Sequence, residues 1–278
     1  MAFNDGPRRA AVLGSPIAHS LSPVLHRAAY AELGLDHWSY DRFEVDERAL
    51  PGFIEGLDGT WAGLSLTMPL KRAVIPLLDG ISDTAASVET VNTVILGEDG
   101  RRTGDNTDIP GMAAALRERG VEKVESAAIL GAGATASSAL AALAGICAGT
   151  VTAYVRSEAR AEEMRGWGER LGVDVRTADW SDADRALTEP LVIATTPAGA
   201  ADALAGAVPE RPGTLFDVLY EPWPTRLAAA WVAHGGAVVG GLDLLVHQAV
   251  LQVELMTGRS PAPLAAMRKA GEAALAAR

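Results

Sequence analysis

The sequence predicts an α/β fold in two successive sheets, an N-terminal α/β domain followed by a doubly wound one. Three observations carry that prediction. Short apolar runs alternate with alanine-rich helical stretches throughout the chain, the pattern of strands covered by helices in mostly parallel sheets. A glycine-rich turn, GAGATA, follows the apolar run AAIL and opens an alanine-rich helix near the middle of the chain. At 278 residues the chain also exceeds the usual reach of a single hydrophobic core.

Taken in order, the first third reads as strands near Ala10–Leu13, Trp38–Phe43, Ala62–Leu66 and Thr93–Leu96, separated by helices such as Pro23–Leu33. A second series begins after Asn106 and Thr107, with the helix of GMAAALRERG stopped by Gly120 and the strand Ala127–Leu130 leading into the glycine turn. Further strands are predicted at TVTAYV, LVIATT, TLFDVLY and AVVG. After Gly241, LDLLVHQAVLQVELMTG has apolar residues at helical spacing, stops at Gly258 and has Pro261 beyond, so it reads as one long helix. No repeat, low-complexity tract or flexible linker interrupts this order. The expected division is residues 1–108, 109–240 and a C-terminal helical segment, 241–278.

Hydrophobic residues make up 49% and charged residues 21%, the balance of a globular protein with a substantial core. A net charge of −11 and the absence of any basic run oppose a nucleic-acid partner, which draws on clustered Lys and Arg. No segment approaches the roughly 18 consecutive apolar residues of a membrane span, so a cytoplasmic protein with no membrane partner is expected. The single cysteine, Cys147, lies in AALAGICAG and reads as a small buried hydrophobe. With one cysteine and five scattered histidines, no metal site is expected.

Gly131, Gly133 and Ala136 form the GxGxxA version of the dinucleotide fingerprint. The first glycine permits the tight turn, the second the close approach of a pyrophosphate, and the helix N-terminus offers N–H groups to anionic charge. At the end of the next strand an NAD site would carry Asp or Glu for the ribose hydroxyls, but this chain reads Tyr154, Val155, Arg156, Ser157 and then Arg160. Arginine there favours NADP, whose extra phosphate it can hold. Taken alone, the two arginines could also simply solvate a helix start.

Near the N-terminus stands GSPIAHSLSPVLHRAAY, in which Ser22 before Pro23 reads as a helix N-cap. Ser20 and Ser22 together are also a reasonable receptor for a carboxylate beside a helix N-terminus. With LTMPLK, VNTV, DNTDIPG, GAGATA, DVLYEPWPTRL and GLDLLVHQAV following in this order, the chain resembles the shikimate dehydrogenase family over nearly its whole length, in forms that look like its actinobacterial branch.

That resemblance implies an N-terminal α/β substrate domain plus a Rossmann-like doubly wound NADP-binding domain, with the C-terminal helices returning to the first. It implies reduction of 3-dehydroshikimate to shikimate with NADPH, in the biosynthesis of aromatic amino acids, by a monomer or homodimer. Ser20 and Ser22 would bind the substrate carboxylate with help from Tyr220; Thr67, Asn92 and Gln248 would bind ring hydroxyls; Lys71 and Asp108 would form the catalytic pair and also touch substrate. The cofactor would meet Gly131, Ala132, Gly133, Ala134, Thr135 and Ala136 in the turn, Arg156, Ser157 and Arg160 after the second strand, and Thr195, Thr196, Pro197 and Gly241.

The chemistry agrees with that assignment. Oxidation of a ring alcohol needs a hydride acceptor and a group that takes the hydroxyl proton, and a positioned Lys beside a carboxylate suits the second task. Read singly, Lys71 is a solvated residue opening a helix after Pro69, and Asp108 a cap ahead of the helix after Pro110. Asn92 and Thr93 could be turn residues, Thr67 a loop residue, Tyr220 the half-buried end of the strand LFDVLY, and Gln248 part of a wet helix face. The chain departs from the common family pattern at Ser65, Glu89, Thr90, Ile109, Ala134 and Leu244, which leaves quinate or aminoshikimate dehydrogenases on the same scaffold, or a non-catalytic NADP-binding paralogue, as alternatives.

Overall fold

A computed structural model describes residues 6–278. The first series comprises β1 (Arg8–Gly14), α1 (Ser22–Glu32), β2 (Trp38–Glu44), α2 (Leu50–Glu55), β3 (Trp61–Leu66), α3 (Leu70–Ala73), β4 (Gly80–Ile81), α4 (Asp83–Val88), β5 (Thr93–Leu96) and β6 (Arg102–Asp105). Its sheet runs β2-β1-β3-β5-β6-β4. The central strand β3 is buried along its whole length, as its near-continuous apolar run requires. The sheet is mixed rather than uniformly parallel, because β5 lies antiparallel to both β3 and β6. The cause is local: the link from β5 to β6 is a tight turn in which the Gly97 N–H bonds the Arg101 carbonyl at 2.8 Å and Gly100 takes φ +80°, and so short a link permits only a hairpin. β4 and β6 escaped the sequence pattern because one has two residues and the other, RTGD, has no apolar run.

The second series comprises α5 (Asp108–Glu118), β7 (Ala127–Leu130), α6 (Ala134–Leu143), β8 (Val151–Val155), α7 (Glu158–Leu171), β9 (Val175–Asp179), β10 (Leu191–Ala194), β11 (Thr214–Asp217), α8 (Arg226–Ala233) and β12 (Ala237–Val239). Every pairing in its sheet is parallel, in the order β12-β11-β10-β7-β8-β9. The chain winds from β7 outward through β8 and β9, then returns to the other side of β7 at β10, so the switch point lies between β7 and β10. β11 is shorter than the run TLFDVLY suggests. The buried Asp217 carboxylate accepts from the Leu219 N–H at 3.1 Å and the Thr225 hydroxyl at 2.6 Å, turning the chain out of the sheet and leaving Tyr220 beyond the strand rather than at its end.

The long helix α9 (Gly241–Thr257) and α10 (Leu264–Ala276) complete the chain. Two compact units result: one extends to Thr107 and takes in Leu245–Arg278, the other is Asp108–Leu244. The second unit's core is small and aliphatic, with Ala127, Ile129, Ala136, Ala139 and Leu140 closing one face of its sheet. Cys147 is only partly buried at the margin of that core, against the expectation of a fully buried residue; its burial pushes the thiol pKa up. The first unit packs Leu13, Leu50, Ile54, Leu64 and Leu70 on one side of its sheet and Val12, Tyr30 and Tyr40 on the other.

Candidate active site

In the first unit the parallel strands β1 and β3 end on the same sheet edge from which the antiparallel β5 departs and at which β6 finishes. Four segments therefore meet there without any local sequence signal joining them. The Thr67 N–H bonds the Leu13 carbonyl at 3.0 Å, and the Ser15 N–H bonds the Met68 carbonyl at 3.0 Å, which seats Thr67 beside the end of β1. Lys71 is the second residue of the short helix α3, and its carbonyl accepts from the Val91 N–H at 2.8 Å, so its backbone is fixed against the residue before Asn92.

Asn92 is 2% exposed and far more than a turn residue, and Thr93 belongs to β5 itself, fully buried. The Asn92 side-chain oxygen receives the Thr107 N–H at 2.8 Å and the Thr93 hydroxyl at 2.8 Å. A backbone N–H can only donate, so it fixes which way the amide points. The Asn92 Nδ2 then faces Thr107 Oγ1 at 3.0 Å and Gln248 Oε1 at 3.4 Å. Gln248 is 6% exposed and faces this cluster from α9 rather than lying on a wet surface. Its own Nε2 donates to the Leu245 carbonyl at 2.9 Å.

Ser20 and Ser22 are both buried. The loop that carries them is pinned by Glu44, which accepts from the Ser15 hydroxyl at 2.7 Å and the Ile17 N–H at 3.1 Å, and by Arg42, which donates to the Ala18 carbonyl at 2.6 Å. Ser22 is not the N-cap of α1. Leu21 occupies that position in helical geometry with no side-chain cap, and Ser22 is already the first helical residue, because Pro23 is seated within the first turn. The Ser20 Oγ instead accepts the Ser22 N–H at 3.3 Å. The Ser22 carbonyl accepts from His26 Nδ1 at 2.9 Å, and His26 stacks on Tyr40 with ring centroids 3.8 Å apart. Complete burial lowers the His26 pKa to about 4, against a smaller opposing effect of the Ser22 carbonyl.

Asp108 opens the second unit. It is the first residue of α5 and 6% exposed, so it is a member of that helix rather than a cap before it. It directly follows Thr107, whose backbone is tied to Asn92.

At the switch point of the second unit, Gly131 follows β7 with φ +114°, a conformation that side chains rarely adopt. A Cβ there would meet Thr195 Oγ1 at 2.7 Å, while the Thr195 N–H and hydroxyl both bond the Leu130 carbonyl, at 3.0 and 2.9 Å. Thr195, Thr196 and Pro197 thus leave β10 alongside the glycine turn. Gly133 is the N-cap of α6, with no side-chain cap, and a Cβ built on it meets nothing within 4 Å. Ala132, Ala134 and Thr135 are partly exposed around that turn, while Ala136 is buried in the core. A helix N-terminus with open space before it and no side chain closing it fits a pyrophosphate. Gly241 approaches the backbone of residues 218–219, its N–H bonding the Leu219 carbonyl at 3.1 Å.

Arg156 follows β8, exposed, with its guanidinium carbon 5.1 Å from the centre of the Trp180 ring. Ser157 caps α7, accepting the Arg160 N–H at 3.4 Å. The Arg160 guanidinium reaches Glu163 at 2.7 Å. Of the two arginines, Arg156 is the one placed over an aromatic ring, an arrangement suited to phosphate recognition. Sequence reasoning missed Trp180, whose only signal was a tryptophan just past a polar strand, and it missed Thr107, Thr93 and Gln252, which enclose Asn92. No helix among the described residues is long and apolar enough to cross a membrane.

Residues 12–94 match the shikimate dehydrogenase substrate binding domain, and residues 241–270 match the shikimate 5'-dehydrogenase C-terminal domain. The chain is 37% identical to the shikimate dehydrogenase (NADP(+)) of Symbiobacterium thermophilum, over 97% of this chain and 96% of that protein. The crystal structure of Mycobacterium tuberculosis shikimate dehydrogenase superposes with a TM-score of 0.89 at 39% identity, covering 96% of this chain and 100% of that one. The Thermus thermophilus shikimate 5-dehydrogenase in complex with NADP(H) and shikimate gives a TM-score of 0.83 at 33% identity, covering 96% and 99%.

Proposed function

The chain belongs to the shikimate dehydrogenase family, and from that premise we propose that it catalyses the NADP-dependent, reversible reduction of 3-dehydroshikimate to shikimate. The observation that carries this reading is the gathering of Thr67, Lys71, Asn92 and Gln248, from separated segments, around one edge of the first sheet. Ring hydroxyls need fixed donors and acceptors, and Asn92 offers an amide whose orientation is already set by a backbone N–H. Ser20 and Ser22 bind the substrate carboxylate, with Tyr220 assisting. Lys71 and Asp108 form the pair that takes the hydroxyl proton on oxidation and returns it on reduction.

The residues of the second unit fit NADP. The open N-terminus of α6 receives the pyrophosphate, and Arg156 on Trp180 receives the extra phosphate, with Ser157 and Arg160 beside it. When bound, the nicotinamide supplies the hydride; the protein's part is to orient the two reactants and handle the proton. A monomer or homodimer in the cytoplasm completes the proposal, and a single cysteine suits that reducing compartment.

The test is absorbance at the reduced-nicotinamide band with shikimate and quinate, each paired with NADP and NAD. Turnover greatest with shikimate and NADP is expected. Preference for quinate, or for NAD with either substrate, would replace the proposal with a related dehydrogenase, and no turnover in any pairing would leave a binding protein.

A further inference from the structure

Behind Asn92 lies a second row of buried polar groups that no substrate contact requires. Tyr40 on β2, Ser65 on β3, Thr93 on β5 and Gln252 on α9 are all buried. Buried hydroxyls and amides of this kind are kept only where their hydrogen bonds are satisfied. The Tyr40 hydroxyl reaches Ser65 Oγ at 2.6 Å, Ser65 Oγ reaches Gln252 Oε1 at 2.8 Å, Gln252 Nε2 reaches Thr93 Oγ1 at 3.0 Å, and Thr93 Oγ1 reaches Asn92 Oδ1 at 2.8 Å.

The direction of every proton in this row follows from its two ends. Gln252 Nε2 also lies 3.3 Å from the Asn92 carbonyl, which can only accept, so the nitrogen must be on that side and the Gln252 oxygen must face Ser65. Ser65 then has to donate to Gln252 and accept from Tyr40. At the other end the Thr107 N–H at 2.8 Å fixes Oδ1 of Asn92 as an acceptor, so Thr93 spends its single proton there and accepts from Gln252. Each hydroxyl donates once, and the row has one orientation. Such a chain polarises its members in one sense and resists rotation of the last amide.

We propose that Thr93 and Gln252 are positioning residues: together with the Thr107 N–H they brace the Asn92 amide where its Nδ2 is presented to a ring hydroxyl, and so set substrate affinity without touching substrate. This rests on the reading of Asn92 as a substrate-binding residue. A row that merely fastened α9 to the sheet would support stability and leave the affinity of the folded enzyme alone.

The measurement is KM for shikimate at saturating NADP in Thr93→Val, Gln252→Met and Asn92→Ala, and in each of the first two combined with Asn92→Ala, with Tm and NADP Kd recorded alongside. Breaking the row that orients a binding group, at Thr93 Oγ1 or at the Gln252 amide, is expected to raise KM by about tenfold in Thr93→Val and Gln252→Met, with kcat and NADP Kd nearly unchanged. Because both act through Asn92, neither is expected to raise KM further in the Asn92→Ala background. Thr93→Ser, which keeps the hydroxyl and loses the methyl, should restore KM whatever it does to Tm. An unchanged KM in Thr93→Val, or effects that multiply with Asn92→Ala, overturns the inference while leaving Asn92 a substrate residue. An unchanged KM in Asn92→Ala overturns both. If Gln252→Met does not fold, Thr93→Val, which removes a single hydroxyl at constant shape, decides alone.

Discussion

The two units solve the problem of fixing a ligand in opposite ways. The first holds its candidate groups by side-chain hydrogen bonds: Asn92 is bonded to Thr93 and Thr107 and faces Gln248, and Gln252 stands behind them. The second relies on backbone, a glycine at φ +114° and a helix N-terminus without a side-chain cap. A site of the first kind is altered by removing single polar atoms, whereas one of the second kind is altered by adding a Cβ.

The largest effect is expected at Lys71. A positioned acid or base contributes about a hundredfold to ten-thousandfold, so Lys71→Ala should lose kcat on that scale while KM, NADP Kd and Tm change little. Asp108→Asn should lower kcat and raise KM together, since on the proposed pairing it removes the charge that would orient Lys71 and an acceptor for the substrate hydroxyl. Steady-state kinetics read both. A Lys71→Ala enzyme within about threefold of the parent, far short of a general acid-base contribution, ends the assignment.

Acid should find the first unit before the second. His26 has a folded pKa of about 4, below the unfolded value, so between pH 6.5 and 4 the unfolded chain binds a proton that the native one refuses. Stability therefore falls as pH drops through that window, by at most about 3 kcal/mol from this residue, and is fully present above it. Chemical denaturation at pH 7 and pH 4.5 should show this loss, and His26→Phe should reduce the difference between the two. An equal difference in His26→Phe would assign the acid sensitivity to other groups.

In the second unit the contrast becomes a pair of substitutions. Gly131→Ala forces a side chain into φ +114° and against Thr195, at a cost of about 1–3 kcal/mol that should appear in Tm. Gly133→Ala meets open space at ordinary φ, so Tm should hold while NADP affinity falls. Arg156→Ala is the one side-chain test there: NADP should weaken by about 1.5–3 kcal/mol, the scale of hydrogen bonds to charged groups, and NAD should not. Calorimetric titration with both cofactors measures it, and equal losses would remove the phosphate assignment.

The strands legible in the sequence were those carrying apolar or aromatic residues at strand spacing, β2 among them although only its Tyr40 is buried. β5 and β7 occupy the predicted residues, and β3 differs by one. β6 and β9 were invisible because RTGD and VRTAD look like loops until neighbouring strands pair with them. The departure at Glu89 also gains a physical meaning: it C-caps α4 at φ 51°, in the left-handed region that favours glycine. Candidate site residues were legible through ordered motifs, but their supports were not. Periodicity says whether Gln252 faces inward, not that its amide reaches Thr93; that juxtaposition exists only after α9 packs on β5.

The smallest effects separate two serines that the sequence treated differently. Ser22 as an N-cap predicts that Ser22→Ala raises KM and costs stability, about 1 kcal/mol for a lost cap, whereas Ser20→Ala raises KM alone. With Leu21 in the cap position and no side-chain cap on α1, that asymmetry disappears. Ser20 even has the better structural claim, since its Oγ accepts the Ser22 N–H. At 3.3 Å that bond is long, and removing it should cost a few tenths of a kcal/mol, within the range of a weak neutral hydrogen bond. Both variants should therefore show higher KM for shikimate at saturating NADP, nearly unchanged kcat, and Tm close to the parent, with Ser20→Ala the slightly less stable of the two. A marked drop in Tm for Ser22→Ala would restore the capping role. An unchanged KM in both would move the carboxylate site away from this loop, leaving its pinning by Glu44 and Arg42 as a purely structural feature of the first unit.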